Sequence, residues 1–228
     1  MKPVIAIDGP AGAGKSTLAR LLAERLHLLY VDTGALYRAL AYAARQQGLG
    51  ARDEPALAEL CAGLSLRLLP QAGGPPAVEV EGRVLGEAEL RTPEITEYAS
   101  RIARFPRVRE CMVGRQRQLA APGGVVMEGR DIQTVVWPQA EVKLFLTASA
   151  RERAHRRFLE LQAAGAPVSE QQVRADLARR DRRDATRATA PLRPAPDAVI
   201  LDTDRLSIAG VLAAALAAVG ERVPDLCG

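Results

Sequence analysis

Val4-Ile5-Ala6-Ile7-Asp8-Gly9-Pro10-Ala11-Gly12-Ala13-Gly14-Lys15-Ser16-Thr17 passes from a short apolar run through a glycine-rich loop into the start of a helical pattern. From Gly9 to Ser16 the spacing is G-x-x-x-x-G-K-S, in which backbone N–H groups wrap phosphate oxygens, the lysine reaches the β- and γ-phosphates and the hydroxyl suits a magnesium ion. Gly9, Gly12 and Gly14 permit close approaches that a Cβ blocks, and the helix starting near Gly14 aims its positive end at the same point. The stretch therefore reads as a nucleoside triphosphate site formed by Gly9, Pro10, Ala11, Gly12, Ala13, Gly14, Lys15, Ser16 and Thr17. It sets the fold class as α/β, a phosphate-loop type of parallel sheet flanked by helices.

Working outward, Leu18, Leu21, Leu22 and Leu26 give the following helix an apolar stripe. A short strand at residues 29–31 runs into Asp32-Thr33-Gly34-Ala35-Leu36-Tyr37-Arg38, and a helix continues from Leu36 toward Gly48. Asp53 is expected to cap a short helix with Pro55 in its first turn. The rhythm then changes: residues 64–68, 78–81 and 82–85 alternate in polarity around the turn-rich 70–76, which reads as a small antiparallel meander inserted in the main fold. Thr92-Pro93 starts another helix, and a long amphipathic helix is expected to run through Arg109 to about Leu119. Val125–Glu128 is a buried strand ending in Gly129-Arg130-Asp131, and charged groups at the carboxyl end of a core strand point to a ligand face. After a strand at 141–146, a helix from Ala150 carries Arg151, Arg153, Arg156 and Arg157. Ser169 and Gln172 form a capping box for the next helix, which reaches toward Arg187. This arginine-rich helical hairpin suits a lid. Residues 198–202 supply the last strand and 208–219 a closing helix.

Composition narrows the function. Of 228 residues 48% are hydrophobic, enough for a full core. Charged residues interrupt every apolar run, so neither a membrane span nor a signal peptide is expected, and the cytoplasm is the default location. Cys61, Cys111 and Cys227 match no metal spacing, and their odd count suggests buried or surface thiols rather than a disulfide framework. Lysine occurs only at positions 2, 15 and 143 against 28 arginines. Lys15 thus stands where a compact ammonium fits and a planar fork does not. The net charge of +4 comes from arginines interleaved with carboxylates, with 4% aromatics. That balance fits a polyanionic small molecule better than nucleic acid.

Taken together, the phosphate loop, Asp32 to Arg38, Phe105-Pro106-Arg107-Val108-Arg109, Gly129-Arg130-Asp131-Ile132, Arg180 to Asp184 and Arg187 to Leu192 resemble the bacterial cytidylate kinase family. The resemblance covers essentially the whole chain. It implies a core over residues 1–62, an inserted monophosphate-binding part over 63–97 and the core continued over 98–228, with a lid around 150–168. It further implies transfer of the γ-phosphate of ATP, with Mg²⁺, to CMP or dCMP. Lys15, Arg130 and Arg187 would be catalytic. Thr33, Arg38, Ser100, Arg109, Arg130, Asp131, Arg180, Asp184 and Arg187 would hold the monophosphate; by the chemistry of the residues themselves, Arg153 and Arg157 would cover the transferring group and the Ser16 hydroxyl would hold the metal directly or through water. The chain would act as a monomer on small nucleotides, without nucleic-acid or membrane partners. It departs from the family pattern at Gln133 and Ser16, where glycine is usual.

Three other readings share parts of this pattern. Another small phosphate-loop kinase would differ only in the acceptor pocket. A guanine-reading switch needs an Asn-Lys-x-Asp element, which a chain without asparagine does not contain. A nucleic-acid-binding ATPase is disfavoured by the interleaved charge.

Overall fold

The computed structural model describes residues 2–226 except Pro70, Ala72, Gly73, Ala164 and Ala188. Cys227 and parts of the turn-rich 70–76 stretch therefore lie outside the described residues.

The first strand, β1 (Val4–Asp8), is buried along its whole length, as expected for a strand covered on both faces. It sits at the centre of a five-stranded parallel sheet with β2 (Leu29–Asp32), β6 (Val125–Gly129), β7 (Val142–Thr147) and β8 (Val199–Asp202), in the order β2-β6-β1-β7-β8. Register pairs Asp8 with Gly129 and Asp32 with Glu128. The phosphate loop, the Gly129-Arg130-Asp131 segment and Asp32 consequently emerge side by side at one edge, where ligands bind in open α/β sheets.

Helices α1 (Lys15–Arg25) and α9 (Ile208–Arg222) cover one face, burying Ile5, Ile7, Leu22, Leu144 and Val219. On the other face, Val4, Ala6, Val31 and Met127 pack with Ile132 and Val136. A second body of core joins α2 (Thr33–Gln46), α3 (Glu54–Gly63), α5 (Pro93–Ile102) and α6 (Pro106–Ala120) to the antiparallel sheet β3 (Leu66–Leu69), β4 (Ala77–Val80) and β5 (Arg83–Leu85). Between β5 and α5 lies α4 (Glu87–Leu90). Each Leu or Ile fully buried here contributes about 1.5–3 kcal/mol. The arginine-rich hairpin is α7 (Ala150–Ala163) and α8 (Glu170–Thr186), whose small core of Ala154, Val173 and Leu177 includes Ala11 of the phosphate loop.

Local signals place most helix starts. Asp53, Thr92 and Ser169 cap α3, α5 and α8, and the Ser169–Gln172 box is present. Three local features differ from expectation. The second helix begins at Thr33, because the Asp32 carboxylate accepts from Ala35 N–H and caps it three residues before the apolar periodicity starts. The long helix expected through Arg109 to about Leu119 is α6, which starts at Pro106, where a missing N–H costs no intrahelical bond, and is separate from α5, which ends at Ile102. A single π-helical turn over Ile132–Val136 follows Asp131, unannounced by any periodicity. Finally, Cys61 and Cys111 are joined as a disulfide between α3 and α6, which lie against each other although 50 residues separate the cysteines.

Candidate active site

The site begins where β1 ends. Gly9 has φ +150°, and a Cβ there would lie 2.2 Å from the Leu146 carbonyl oxygen, so only glycine lets the chain turn off the sheet. The loop then leads into α1, whose N-cap residue, Gly14, offers no side-chain cap. The first amides of α1 thus point unclaimed by side chains toward the cleft, as an anion site requires. Residues Ala11 to Thr17 line that cleft, and Gly9 and Pro10 are not part of its lining. Lys15 is only 5% exposed, and its Nζ donates to the Pro10 carbonyl at 2.8 Å. Burial, reinforced by Arg130 and Arg180 and opposed by Glu128 and Asp8, pushes the Lys15 ammonium down to about 7. A phosphate oxygen in the loop would restore its charge.

The cleft, about 700 Å³, extends from this loop to an arginine-rich end, and all nine side chains expected to hold a monophosphate line it. Thr33 donates its hydroxyl to the Glu128 carbonyl at 2.7 Å, which locks α2 onto β6. Arg38 folds back over Gly34, where a Cβ would lie 2.9 Å from its Nη1, and donates to Asp32 at 2.7 Å. Burial disfavours the Asp32 charge, but Arg38 and Arg91 outweigh it and hold the carboxyl below its ordinary range.

At the far wall Arg109 and Asp131, both buried, form an ion pair, and Arg187 lies 3.6 Å from the other oxygen of Asp131. Around this pair the Tyr37 hydroxyl, the Ser100 hydroxyl and one Arg187 nitrogen are buried without hydrogen-bond partners. Orphaned polar groups of this kind are costly unless a ligand completes them. Asp184 on α8 accepts from Arg130 Nε at 3.1 Å. Burial opposes its charge, yet Arg130, Arg180 and Arg187 together keep the carboxyl below the usual range. Arg180, one turn earlier, does not pair with Asp184 as an i,i+4 bridge, and its Nε has no partner. Burial and the neighbouring Arg130 bring that guanidinium down to about 10.

The two lid arginines diverge. Arg157 lines the cleft and pairs with Glu160. Arg153 does not reach the cleft; it is buried and donates to the Ala11 carbonyl at 3.0 Å and to Asp181 at 2.6 Å. It holds the phosphate loop against the hairpin instead of covering bound phosphate, because α7 starts directly behind the loop.

Several groups at the site carry no sequence signal. Glu128, buried at the end of β6, accepts from the Tyr30 hydroxyl and faces Lys15. Gln116 lies beside Tyr37, and Arg91 reaches Asp32 at 3.5 Å. Strand register brings Tyr30 and Glu128 together across 98 residues, a proximity invisible before the β2-β6 pairing is known.

The cytidylate kinase family profile matches residues 5–221. The chain is 51% identical to a cytidylate kinase from Syntrophotalea carbinolica, across 96% of this chain and 92% of that one. It is 50% identical to one from Geobacillus thermodenitrificans, across 96% and 97%. It is also 50% identical to a bifunctional pantoate ligase/cytidylate kinase from a Synechococcus strain, of which it spans 39%. Among solved structures, a gluconokinase from Sinorhizobium meliloti superposes with a TM-score of 0.50 at 14% identity, covering 99% of this chain and 95% of that one. An uncharacterized protein from Eubacterium ventriosum gives 0.51 at 12%, covering 97% and 100%. These structures share the fold alone. Full-length identity near one half, over a site built from the quoted segments, leads to one assignment: the chain belongs to the cytidylate kinase family.

Proposed function

We propose that the protein transfers the γ-phosphate of ATP to CMP and dCMP. The observation that carries this reading is the cleft itself, in which a phosphate loop faces a pocket walled by the buried Arg109–Asp131 pair and the unpartnered Ser100 hydroxyl. Joining two polyanions is chiefly a problem of positioning and neutralisation. Gly9 to Thr17 hold the ATP phosphates, with Lys15 on the β/γ end. Arg38, Arg130 and Arg187 meet the acceptor phosphate, and Arg180 and Asp184 hold its ribose. Asp131 accepts from the N4 amine of cytosine, while Arg109 and Ser100 answer its ring acceptors. Uracil reverses the polarity at position 4 and meets a carboxylate with a carbonyl.

Magnesium fits the oxygen donors present, the Ser16 hydroxyl and the nearby Glu128 carboxylate. The ion would arrive with the nucleotide phosphates and keep several of its waters. Bound there, it would neutralise phosphate charge. Residues 63–97 serve as the monophosphate-binding part, and 150–168, through Arg157, close the cleft against water. In this reading the chain acts as a monomer on small nucleotides. Among the described residues no helix is long and apolar enough to cross a membrane.

The test is transfer of radiolabelled γ-phosphate from ATP to a panel of CMP, dCMP, UMP, AMP and GMP. Strong labelling of the two cytidylates is expected; preferential labelling of UMP or a purine nucleotide would contradict the reading.

A further inference from the structure

One carboxylate at the junction of the two halves of the cleft has no part in the chemistry above. Asp8 is the last residue of β1, is wholly buried, and is followed at once by Gly9 of the phosphate loop. Its two oxygens are taken by backbone donors outside that loop. Oδ1 accepts from the backbone N–H of Ile132 at 3.0 Å, and Oδ2 from that of Gln133 at 2.9 Å. These are the two amides immediately after Asp131, and they open the π-helical turn. Without the carboxylate both would be buried donors lacking a partner, which native interiors avoid.

The backbone of Asp8 is held between Gly129 of β6 and Phe145 of β7 in the sheet register, so its side chain projects from a rigid base. From there the connections lead to the acceptor wall. Asp131 pairs with Arg109 and lies next to Arg187. The Gln133 side chain donates to the Leu144 carbonyl at 3.2 Å and accepts from Ala195 N–H at 2.9 Å. It thereby ties the same turn to β7 and to the segment after Ala190, whose carbonyl accepts from Arg187 Nε. The charged groups facing Asp8 are Lys15 from α1 and Asp131 itself. A buried carboxylate thus stands between the lysine of one subsite and the base-reading carboxylate of the other.

We propose that Asp8 is a positioning residue that registers the segment Gly129 to Gln133 on the phosphate loop, so that the placement of Asp131, and with it base discrimination, is set by a carboxylate touching neither nucleotide. This rests on the function proposed above. A purely structural role would lower stability and total activity without changing which base is chosen. A positioning role changes the choice.

The test is Asp8→Asn, which keeps the shape but turns an NH₂ donor toward one of the two amides. kcat/KM for CMP and UMP and KM for ATP are measured beside the native protein. The CMP/UMP ratio is expected to fall about tenfold, the loss associated with one misplaced buried polar contact, with KM rising for CMP and staying within about threefold for ATP. Emission of Trp137, the sole tryptophan, whose N–H closes the π turn onto Ile132, is expected to shift. A ratio within about twofold of native, or KM for ATP rising as much as KM for CMP, overturns the inference and leaves the proposed activity standing. A native protein that does not prefer CMP overturns both. If Asp8→Asn does not fold, native-state hydrogen exchange decides. The amides of Ile132 and Gln133 should exchange as slowly as those of β1, and exchange at the rate of open loops overturns the inference.

Discussion

The phosphate-loop end of the cleft is built from consecutive backbone, residues 9–17 on one strand-to-helix turn. The arginine end is built from single side chains on α2, α5, α6, α8 and the segment after β6. Backbone cannot be mutated away, and its geometry depends on glycines and on what packs behind them. A side-chain site can be altered one group at a time, but its members are coupled, as Arg109 is to Asp131 and Arg130 to Asp184. The first end therefore suits what any triphosphate shares and the second what distinguishes one acceptor from another. Substitutions at the first should abolish activity toward every acceptor, and at the second should redistribute it.

Lys15→Ala carries the largest expected effect. Removing the ammonium should lower kcat by about 10²-fold or more for every acceptor, with folding retained. Turnover near the native rate in a folded variant would remove the loop from the mechanism. Gly9→Ala tests the backbone side of the comparison differently. The 2.2 Å approach to Leu146 forces the strand end to move, so both thermal stability and activity should fall without any charge having changed. An active variant with an unchanged melting temperature would show that the loop tolerates rebuilding.

Asp184→Ala sharpens the contrast. It should alter the ratio of KM for CMP to KM for dCMP by about 3–30-fold, one to two hydrogen bonds' worth, while KM for ATP barely moves. An unchanged ratio would reduce Asp184 to the partner of Arg130.

The two ends also meet in pH dependence. Burial pushes Asp8 up to about 7 from 3.8, so between those values the folded chain binds the extra proton and stability falls as pH rises. Lys15, brought down to about 7 from 10.5, leaves the unfolded chain with the extra proton above neutrality, and stability rises with pH there. The combined contribution is lowest near pH 7 in the nucleotide-free protein. Thermal melts at pH 5, 7 and 9 should show that minimum, and ATP should flatten its alkaline side. A maximum at pH 7 with no effect of ATP on the profile would contradict the assigned burial.

Reduction of the Cys61–Cys111 disulfide has the smallest effect on catalysis. It lies in the α3–α6 packing, away from the cleft lining. A dithiol reductant should leave kcat within about twofold while lowering stability by about 2–4 kcal/mol, typical of a bridge closing a long loop. A loss of CMP affinity on reduction would instead connect α6 packing to Arg109.

How much of this was legible beforehand follows the same division. The phosphate loop, the meander and the helix caps at Asp53, Thr92 and Ser169 are written in neighbouring residues, and their spacing is enough to place them. The nine residues proposed to hold the acceptor sit in the motifs that carry the family resemblance and line one cleft, yet nothing local says that Arg130 holds Asp184 or that Thr33 spends its hydroxyl on Glu128. Arg153 binds the Ala11 carbonyl, and in sequence a helix-borne arginine looks the same whether it faces phosphate or a loop carbonyl. Cys61 and Cys111 looked unpaired because their partnership depends on two helices meeting. The first two amides of the π-helical turn after Asp131 donate to the Asp8 carboxylate, more than 120 residues away, and no sequence period announces it.

The central claim is that the acceptor base is read by Asp131, and the most direct measurement is kcat/KM for CMP and UMP in the native protein and in Asp131→Asn. Melting curves should accompany it, because breaking the buried pair with Arg109 costs about 3–5 kcal/mol. The native protein should favour CMP by about 30-fold or more, from two mismatched buried contacts with uracil, its O4 against the Asp131 carboxylate and its N3–H against the Arg109 guanidinium. In the folded variant, whose amide can donate to the uracil carbonyl, that preference should shrink severalfold. Equal loss on both substrates, with the ratio intact, would assign Asp131 to structure and contradict the account.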